Sequence, residues 1–361
     1  MVRVITAVIA TFFVAAAGDV FAQPAGSDII PSRAGTIDFG VRMTSATGNP
    51  TRNERYRDLR EGPVIDTFRY NSDRRGWLFA SGADHVGYRD QRYFADLVRP
   101  GKVQMNFEWN QIPLNASTVT ATLYTNPSAG VFRIADSIQQ GLEAGTLRLA
   151  DVAPGATQFD LRSRRETATF NLIVTPAKNL DLKVNLRNTR KIGEQQWGIG
   201  FGFSNQFEVP APLDHRTTDL GTAAEWSNTQ AMVRVGYDGS WFDNHVESLV
   251  ADDPLRLTDA VGATSQGRMA LWPSSHSNAV NTAGTLKLPA HSQATAYISV
   301  GEWVQNAPLI PFTINPAITP IPLDRPTAEA DALVTAMNYT ASSHPTNELA
   351  FTARFNKAFS S

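Results

Sequence analysis

The dominant feature of the sequence is an alternation of apolar and polar residues with a period of two. Residues 36–44 read TIDFGVRMT, which places Ile37, Phe39, Val41 and Met43 on one side of an extended chain. Successive side chains of a β-strand point to opposite faces, so the pattern predicts a strand with one apolar face. No segment shows a comparable period of 3.6, and the chain is therefore predicted to be all-β. The other alternating segments are 102–110, 167–175, 180–190, 227–237, 240–250 and 347–356.

Short turns are predicted to alternate with long polar connections. Pro100-Gly101 predicts a turn over 99–101 that is closed by Val98 and Lys102, and Asp238-Gly239 predicts a two-residue hairpin turn. Further turns are predicted at 176–179, 289–290 and 342–345, and long connections at 45–73, 126–164, 204–225, 251–277 and 305–328, with a short helix within 134–150.

These turns also predict strand register. The Asp238-Gly239 turn would bring Arg234 opposite Asp243, and the turn at 99–101 would bring Arg92 opposite Glu108. In both cases apolar residues meet apolar residues on the other face, as a half-buried strand requires.

Two architectures are compatible with alternating strands. In a soluble sandwich the apolar faces share a core. In an outer-membrane barrel they meet lipid, while the lumen is polar, the strands have about ten residues, and tight turns at one end oppose long loops at the other. The strand lengths, the unequal connections and the aromatic residues near strand ends favour a transmembrane antiparallel β-barrel of about a dozen strands.

The N-terminus has the pattern of a secretory signal peptide. Arg3 precedes an apolar stretch over 4–17, and Val20-Phe21-Ala22 predicts cleavage before Gln23. The apolar stretch is too short to span a membrane as a helix, which takes about 20 residues. The predicted organisation is a signal peptide over 1–22 and a barrel over 23–361.

Composition excludes several functions. With no cysteine in 361 residues, the chain has no disulfide, no thiolate metal site and no C-x-x-C-H haem attachment. The net charge of −2 provides no basic excess for nucleic acid. Six scattered histidines without a Ser/His/Asp grouping predict no enzyme.

Several segments resemble one known family. The chain reads GTIDFGVR at 35–42, YRDLREG at 56–62, GYRDQRY at 87–93, FEWNQIP at 107–113 and TLY at 122–124. Two later segments, LPAHSQATAY at 288–297 and NAPLIPFTIN at 306–315, continue the likeness over most of the chain. This order resembles the MtrB/PioB family of decahaem-associated outer-membrane proteins.

The resemblance implies a barrel in the outer membrane of a Gram-negative bacterium. In that family the barrel is a sheath for a periplasmic multihaem c-type cytochrome, which carries all the haem, and electrons cross the membrane through the pair. A general porin for small solutes is the alternative, and a soluble exported β-protein is a third. A cytochrome co-purifying with the protein would favour the sheath, whereas liposomes made permeable by the protein alone would favour the porin.

Three features depart from the family pattern. The chain has no C-x-x-C near its mature N-terminus, has roughly half the family's usual length, and stops at Phe359-Ser360-Ser361 instead of on an aromatic residue. The expectation is therefore an incomplete barrel, or the N-terminal half of a larger one. Two outcomes are open: the dozen strands close into a narrower barrel, which would be tight around a rod of stacked haems, or they form a curved sheet that stays open.

Charged residues on the predicted polar strand faces are the candidate contacts of the lumen with a partner. The alternative is that they form ordinary ion pairs in a solvated wall. The spacing of His245 between Asp243 and Glu247 could suit a divalent cation, but no other ligand converges on them, so no metal or cofactor site is predicted. The candidates are Arg92, Glu108, Asp181, Lys183, Arg187, Arg234, Asp243, His245 and Glu247.

Overall fold

A computed structural model describes residues 3–13, 33–45, 48, 50–201, 205–346 and 348–361. It contains eighteen strands, two short helices and two 3₁₀ turns (Pro50–Arg52 and Ala153–Gly155). The helices are α1 (Asp136–Glu143) and α2 (Leu149–Val152). The strands are β1 (Arg3–Phe13), β2 (Arg33–Ser45), β3 (Gly62–Arg74), β4 (Trp77–Val86), β5 (Arg92–Arg99), β6 (Val103–Thr122), β7 (Thr125–Ser128), β8 (Val131–Arg133), β9 (Thr157–Ala177), β10 (Leu180–Phe201), β11 (Asn205–Ser227), β12 (Ala231–Asn244), β13 (Ser248–Asp252), β14 (Gln266–Ala270), β15 (Ser275–Leu288), β16 (Ser292–Gln305), β17 (Ala330–Thr346) and β18 (Leu349–Ser360).

Fourteen strands form one antiparallel sheet in the order β1-β2-β3-β4-β5-β6-β9-β10-β11-β12-β15-β16-β17-β18. Neighbours in the sheet follow each other along the chain, as in an up-and-down barrel. Within the described residues β1 and β18 do not pair, so the sheet is open. The prediction of an all-β fold with a large antiparallel sheet is confirmed, and of the two outcomes left open for closure the structure shows the open sheet.

The predicted signal peptide lies only partly within the described residues. Its residues Arg3–Phe13 form β1, which pairs with β2, while 1–2 and 14–22 lie outside the described part. Cleavage before Gln23 stays a prediction, and it would leave the thirteen strands from β2 to β18 in the large sheet.

The connections differ sharply between the two ends of the sheet. Only two or three residues separate the paired strands at 75–76, 100–102, 178–179, 228–230, 289–291 and 347–348, which we call the turn end. The opposite end, the loop end, carries the long connections 123–156, 245–274 and 306–329. Short turns at one end and long loops at the other are typical of outer-membrane barrels, in which the short turns are periplasmic.

One face of the sheet, the apolar face, is not covered by a second layer of the chain. Val235 is 50% exposed, Leu286 45%, Val300 43% and Phe355 53%, although all four are large and apolar. An exposed apolar patch of this extent marks contact with lipid or another partner. The sandwich alternative is therefore wrong for this chain.

No helix in the described part of the chain has the length and apolar character needed to cross a membrane.

The predicted turn at Asp238-Gly239 is wrong. β12 runs through these residues, with Asp238 opposite Gly221 in β11 and Ala279 in β15. The glycine serves packing on the apolar face instead, because a Cβ on Gly239 would lie 2.4 Å from the Trp241 ring and 2.8 Å from the Tyr237 hydroxyl. Aromatic rings that lie across the backbone, and not a turn, require glycine at this position.

Other boundaries also differ from the expectation. The connection expected at 204–225 is strand β11, and that at 45–73 contains β3. The hairpin expected at 342–345 turns later, because β17 continues to Thr346. At the β5–β6 turn Arg99 lies opposite Val103, a shift of two residues that keeps every side chain on its predicted face. The helix expected within 134–150 is confirmed by α1.

The long connections fold into a small domain at the loop end, which we call the cap. Its sheet has the order β14-β13-β8-β7 and packs on the part of β10 and β11 that extends beyond the apolar band. Phe132 and Leu249 of the cap are fully buried against Phe201 and Val209 of the extension. Phe201 and Val209 lie an even number of residues from the polar-face residues of their own strands, so their side chains are on the polar face. The cap therefore lies on the polar side of the sheet.

The cap core provides a test of this arrangement. Replacing Phe132 by Ala removes a fully buried ring, which costs about 3–5 kcal/mol and should open the cap at least about 100-fold more often. Trypsin cleavage at Arg148 and Arg256, followed by mass spectrometry, should accelerate accordingly.

Leu149→Ala is the matched control, because Leu149 is 43% exposed in the same connection. The strand core should stay resistant in both variants. Equal cleavage rates for the two variants would contradict a packed cap.

Candidate functional site

The polar face of the large sheet is the candidate functional surface. The strand register places Arg92, Glu108, Lys183 and Arg234 on this face, and Asp181 and Arg187 also belong to it. Six of the nine predicted residues are thus on one surface, spread over four strands between β5 and β12.

A chain of charges crosses β3 to β6 on this surface. Arg92 Nη2 lies 2.7 Å from Glu108 Oε2, and Arg92 Nη1 lies 3.7 Å from Asp84 Oδ2. Arg69 Nη2 lies 2.5 Å from Asp84 Oδ1, and both guanidinium groups lie over the Phe94 ring, at 5.2 Å for Arg69 and 4.9 Å for Arg92. The predicted Arg92–Glu108 pair exists, although the two residues are diagonal and not directly opposite.

A row of amide side chains continues across the next strands. Asn106 Nδ2 donates to Asp96 Oδ1 at 2.6 Å, Asn171 Nδ2 donates to Asn106 Oδ1 at 3.2 Å, and Asn185 Nδ2 donates to Asn171 Oδ1. Asn106 and Asn171 each use both the donor and the acceptor of the amide within the row. The polar groups of this wall therefore satisfy one another across β5, β6, β9 and β10.

The row ends at a depression with a volume of about 650 Å³. Gly221, Ala223 and Ala279 form its floor, and charged pairs flank it. A Cβ on Gly221 would lie 3.2 Å from Asp238 Oδ1, so larger residues there would narrow the depression. Its charged groups are paired: Lys183 with Glu225 at 2.8 Å, Arg234 with Asn281 at 2.6 Å, and Asn281 with Asp238 at 2.5 Å.

The remaining candidates are not brought together as expected. Asp181 accepts a hydrogen bond from the Thr175 hydroxyl at 2.6 Å, and Arg187 is exposed. Asp243 lies on the opposite face, because it is nine residues from Arg234 in one uninterrupted strand. His245 and Glu247 lie beyond the end of β12, and His245 pairs with Asp214 at 3.4 Å.

The metal alternative gains no support. Among the residues that the structure describes, no group of three or more His, Asp or Glu side chains is arranged to hold a metal ion.

Sequence reasoning missed a buried clamp at the loop end. The Asp58 side chain is 2% exposed and accepts hydrogen bonds from Arg60 Nε at 2.7 Å and from the Arg89 backbone N–H at 2.8 Å. Arg42 lies over the Tyr88 ring at 4.7 Å and donates to the Asp58 carbonyl at 2.6 Å. The segments YRDLREG and GYRDQRY, which carry the family resemblance, thus hold each other through Asp58 and the Arg89 backbone, and their repeated Tyr-Arg-Asp is the signal that could have suggested this contact.

The charge state of the clamp follows from its contacts. Burial alone would raise the pKa of the Asp58 carboxyl, but the hydrogen bonds from Arg60 and from the backbone of Arg89 and Arg60 outweigh it and hold the pKa below its usual range. Asp58 is therefore an ionised, buried anchor for the two loops.

His85 adds a contact next to the clamp. It lies nearer the loop end than the Tyr93–Trp109 ring pair and is therefore outside the apolar band. Its Nδ1 lies 3.2 Å from Asp90 Oδ2 and its Nε2 lies 3.5 Å from Asp66 Oδ1. The hydrogen bond to Asp90 raises the pKa of His85, burial opposes the shift, and the charge of Asp66 adds to it. His85 therefore ties the end of β4 to β3 and to the following loop, and this contact is strongest when the imidazole is protonated.

Comparison with known proteins identifies one family. The model of the family described as "Putative outer membrane beta-barrel porin, MtrB/PioB" matches residues 47–356. No curated protein matches the sequence.

Solved structures of the outer-membrane protein OmpT of Vibrio cholerae are similar at low identity. The loop L8 deletion mutant is 9% identical with a TM-score of 0.33, covering 85% of this chain and 89% of that chain. The in-vitro folded trimer form is 10% identical with a TM-score of 0.33, covering 84% of each chain. The outer-membrane expressed form is 10% identical with a TM-score of 0.31, covering 90% and 79%.

The His85 contacts predict a pH dependence at the loop end. Because the folded pKa of His85 is raised, its contribution to stability is complete below the ordinary value of 6.5 and disappears as the pH rises through the raised value. NMR titration of the imidazole, assigned with His85→Gln, should show this raised pKa.

Asp90→Asn should lower the pKa of His85, because it removes the largest cause of the shift. Asp73→Asn, at the turn end of β3, is the control and should leave it unchanged. An unchanged titration in Asp90→Asn would show that the contact does not form.

Proposed function

Since the chain belongs to the MtrB/PioB family and is an outer-membrane protein of the β-barrel type, we propose that its polar face is the inner wall of a sheath for a periplasmic multihaem c-type cytochrome. The cytochrome carries the haem, and the wall insulates and positions it so that electrons cross the membrane. The family match is the observation that carries the proposal. Three properties of the wall support it.

The first property is the division between the two faces. The apolar face presents exposed Val235, Leu286 and Phe355, which suit hydrocarbon. The polar face presents cross-strand hydrogen bonds and ion pairs instead. A sheath needs this combination, because its outside must dissolve in lipid while its inside must accept the polar surface of a protein.

The second property is that the charges of the wall are largely compensated locally. Arg92 with Glu108 and Lys183 with Glu225 are pairs of opposite charge within 2.8 Å. A large excess of one sign would create a strong field in the lumen. A wall with paired charges instead offers a protein occupant hydrogen-bonding groups without a large unpaired charge to desolvate.

The third property is the surface shape of the wall. The depression floored by Gly221, Ala223 and Ala279 lies in the middle of the sheet and is bordered by polar side chains. Protein interfaces gain from close shape complementarity, and small residues leave room for side chains of a partner. The chain has no cysteine, so redox groups in such a lumen would come with that partner.

A diffusion porin is the second candidate, and the description of the family as a porin favours it. In that case water and small solutes would fill the lumen. Neither candidate assigns a catalytic role to the chain, and we expect no enzymatic activity.

The two functions can be separated in vesicles. The protein is purified from its own membranes with and without crosslinking, and retained c-type haem is measured by haem staining. We expect a multihaem cytochrome to be retained, and liposomes with both proteins to transfer electrons to an enclosed dye while remaining tight to small sugars. Sugar-permeable liposomes without any retained cytochrome would establish the porin instead.

A steric variant tests the wall itself. Ala279→Trp fills the floor of the depression and should reduce cytochrome retention at least about tenfold, since a clash at a packed interface costs more than about 1.4 kcal/mol. Thr282→Trp is the matched control, because it lies on the same strand but on the apolar face. Equal retention in both variants would show that the occupant does not contact this part of the wall.

A further inference from the structure

A tryptophan on the polar face has no explanation in the proposed sheath. Trp303 of β16 has the parity of the polar face, since it lies opposite Ser277 and Ala332, and it is 64% exposed. Its exposed ring offers an apolar surface on which a ligand can stack.

Trp303 borders a cavity of about 430 Å³ near the loop end. Phe242 lies on its other side, two strands away and thus about 10 Å across the sheet. Only the serines Ser275 and Ser277 of β15 lie between them on this face, so the two rings enclose an open slot with a small, polar floor.

A second cavity, of about 550 Å³, adjoins the first and extends it toward the cap. Both cavities include Phe242, Ser275 and Gln305 in their lining, and the second adds Trp272 from the connection that follows β14. Small-molecule sites are typically concave and apolar, with a few polar groups, and have a volume in this range.

The aromatic lining belongs to a larger cluster that fixes its geometry. The Trp272 ring lies 5.3 Å from Trp197 and 6.4 Å from His215, and His215 lies 5.4 Å from Phe242. Contact with two strands of the wall positions Trp272, so the lining is preformed and a ligand need not order it. Burial lowers the pKa of His215, which keeps this imidazole neutral.

The charges around the cavities have one sign. Glu247 lines the larger cavity, while neither cavity has a lysine or an arginine in its lining. Asp243 and Asp331 border the cavities through strands whose register places their side chains on the apolar face. In a sequence with 32 Lys and Arg residues, this local excess of negative charge favours cations over anions.

We propose that the paired cavities between Phe242, Trp272 and Trp303 form a binding site for a planar aromatic molecule that carries a positive charge. Its ring stacks on Trp303 or Phe242, which attract cations through their π faces. Glu247 provides the counter-charge at the rim. The site belongs to this chain alone and requires no cytochrome.

The binding test uses proflavine, a planar tricyclic cation, and the full chain in nonionic detergent without cytochrome. Fluorescence polarisation of the dye should show saturable binding, and Trp303→Ala should weaken it at least tenfold. Trp226→Ala is the matched control, because it removes an exposed tryptophan near the turn end and should change the affinity less than twofold. Equal affinities in the two variants would overturn the proposal.

Charge selectivity is tested separately. Anthracene-9-carboxylate, a planar tricyclic anion, should bind at least tenfold more weakly than proflavine, and the E247Q variant should reduce this preference. Maltotriose represents an uncharged sugar, which could also stack on aromatic rings. Trp303-dependent binding of the sugar without binding of proflavine, or equal binding of the anion, would overturn the proposal while leaving the sheath function untouched.

Discussion

The structure depends on the requirement that backbone N–H and C=O groups in hydrocarbon find partners within the protein. Each unpaired group in a bilayer costs several kcal/mol, which leaves helices and laterally paired strands as the membrane-crossing elements. This chain meets the requirement in the interior of the sheet, where neighbours in the strand order pair antiparallel, whereas the outer edges of β1 and β18 have no partner strand within the described residues. The period-two alternation follows from it, because each strand must then present one face to lipid and the other to the lumen.

The pairing of strands into a single-layered sheet also determines where the chain has a hydrophobic core. Within the apolar band no second layer covers the sheet, and side chains such as Val235 and Val300 stay about half exposed. Full burial occurs instead in the cap, where Phe132, Phe201 and Leu249 are completely covered. Specific tertiary packing is therefore concentrated at the loop end, while the band relies on ladders of hydrogen bonds and on cross-strand side-chain pairs.

The sequence alone was sufficient for the fold type, because periodicity survives errors of register by two residues, as at the β5–β6 turn. The sequence was insufficient where the same residues are compatible with two different local structures. Asp238-Gly239 has the composition of a turn, yet Gly239 makes room for Trp241 and Tyr237 within a strand. β11 was missed because of Pro210 and Pro212, although Phe207, Val209, Ala211 and Leu213 alternate cleanly around them. Over this stretch β11 pairs only with β10, so the missing N–H groups can face the unpaired side.

The contacts of the candidate site also differ in whether the sequence could predict them. Arg92 and Glu108 are close in sequence and joined by one turn, so their contact follows from local register. The contact of Trp272 with Trp197 joins residues far apart in the chain, and it exists only because the connection after β14 folds back over the polar side of β10. Periodicity contains no information about such returns. The clusters of aromatic and acidic side chains therefore lie at the loop end, beyond the alternating strands. Only there can the chain bring together side chains that are far apart in the sequence.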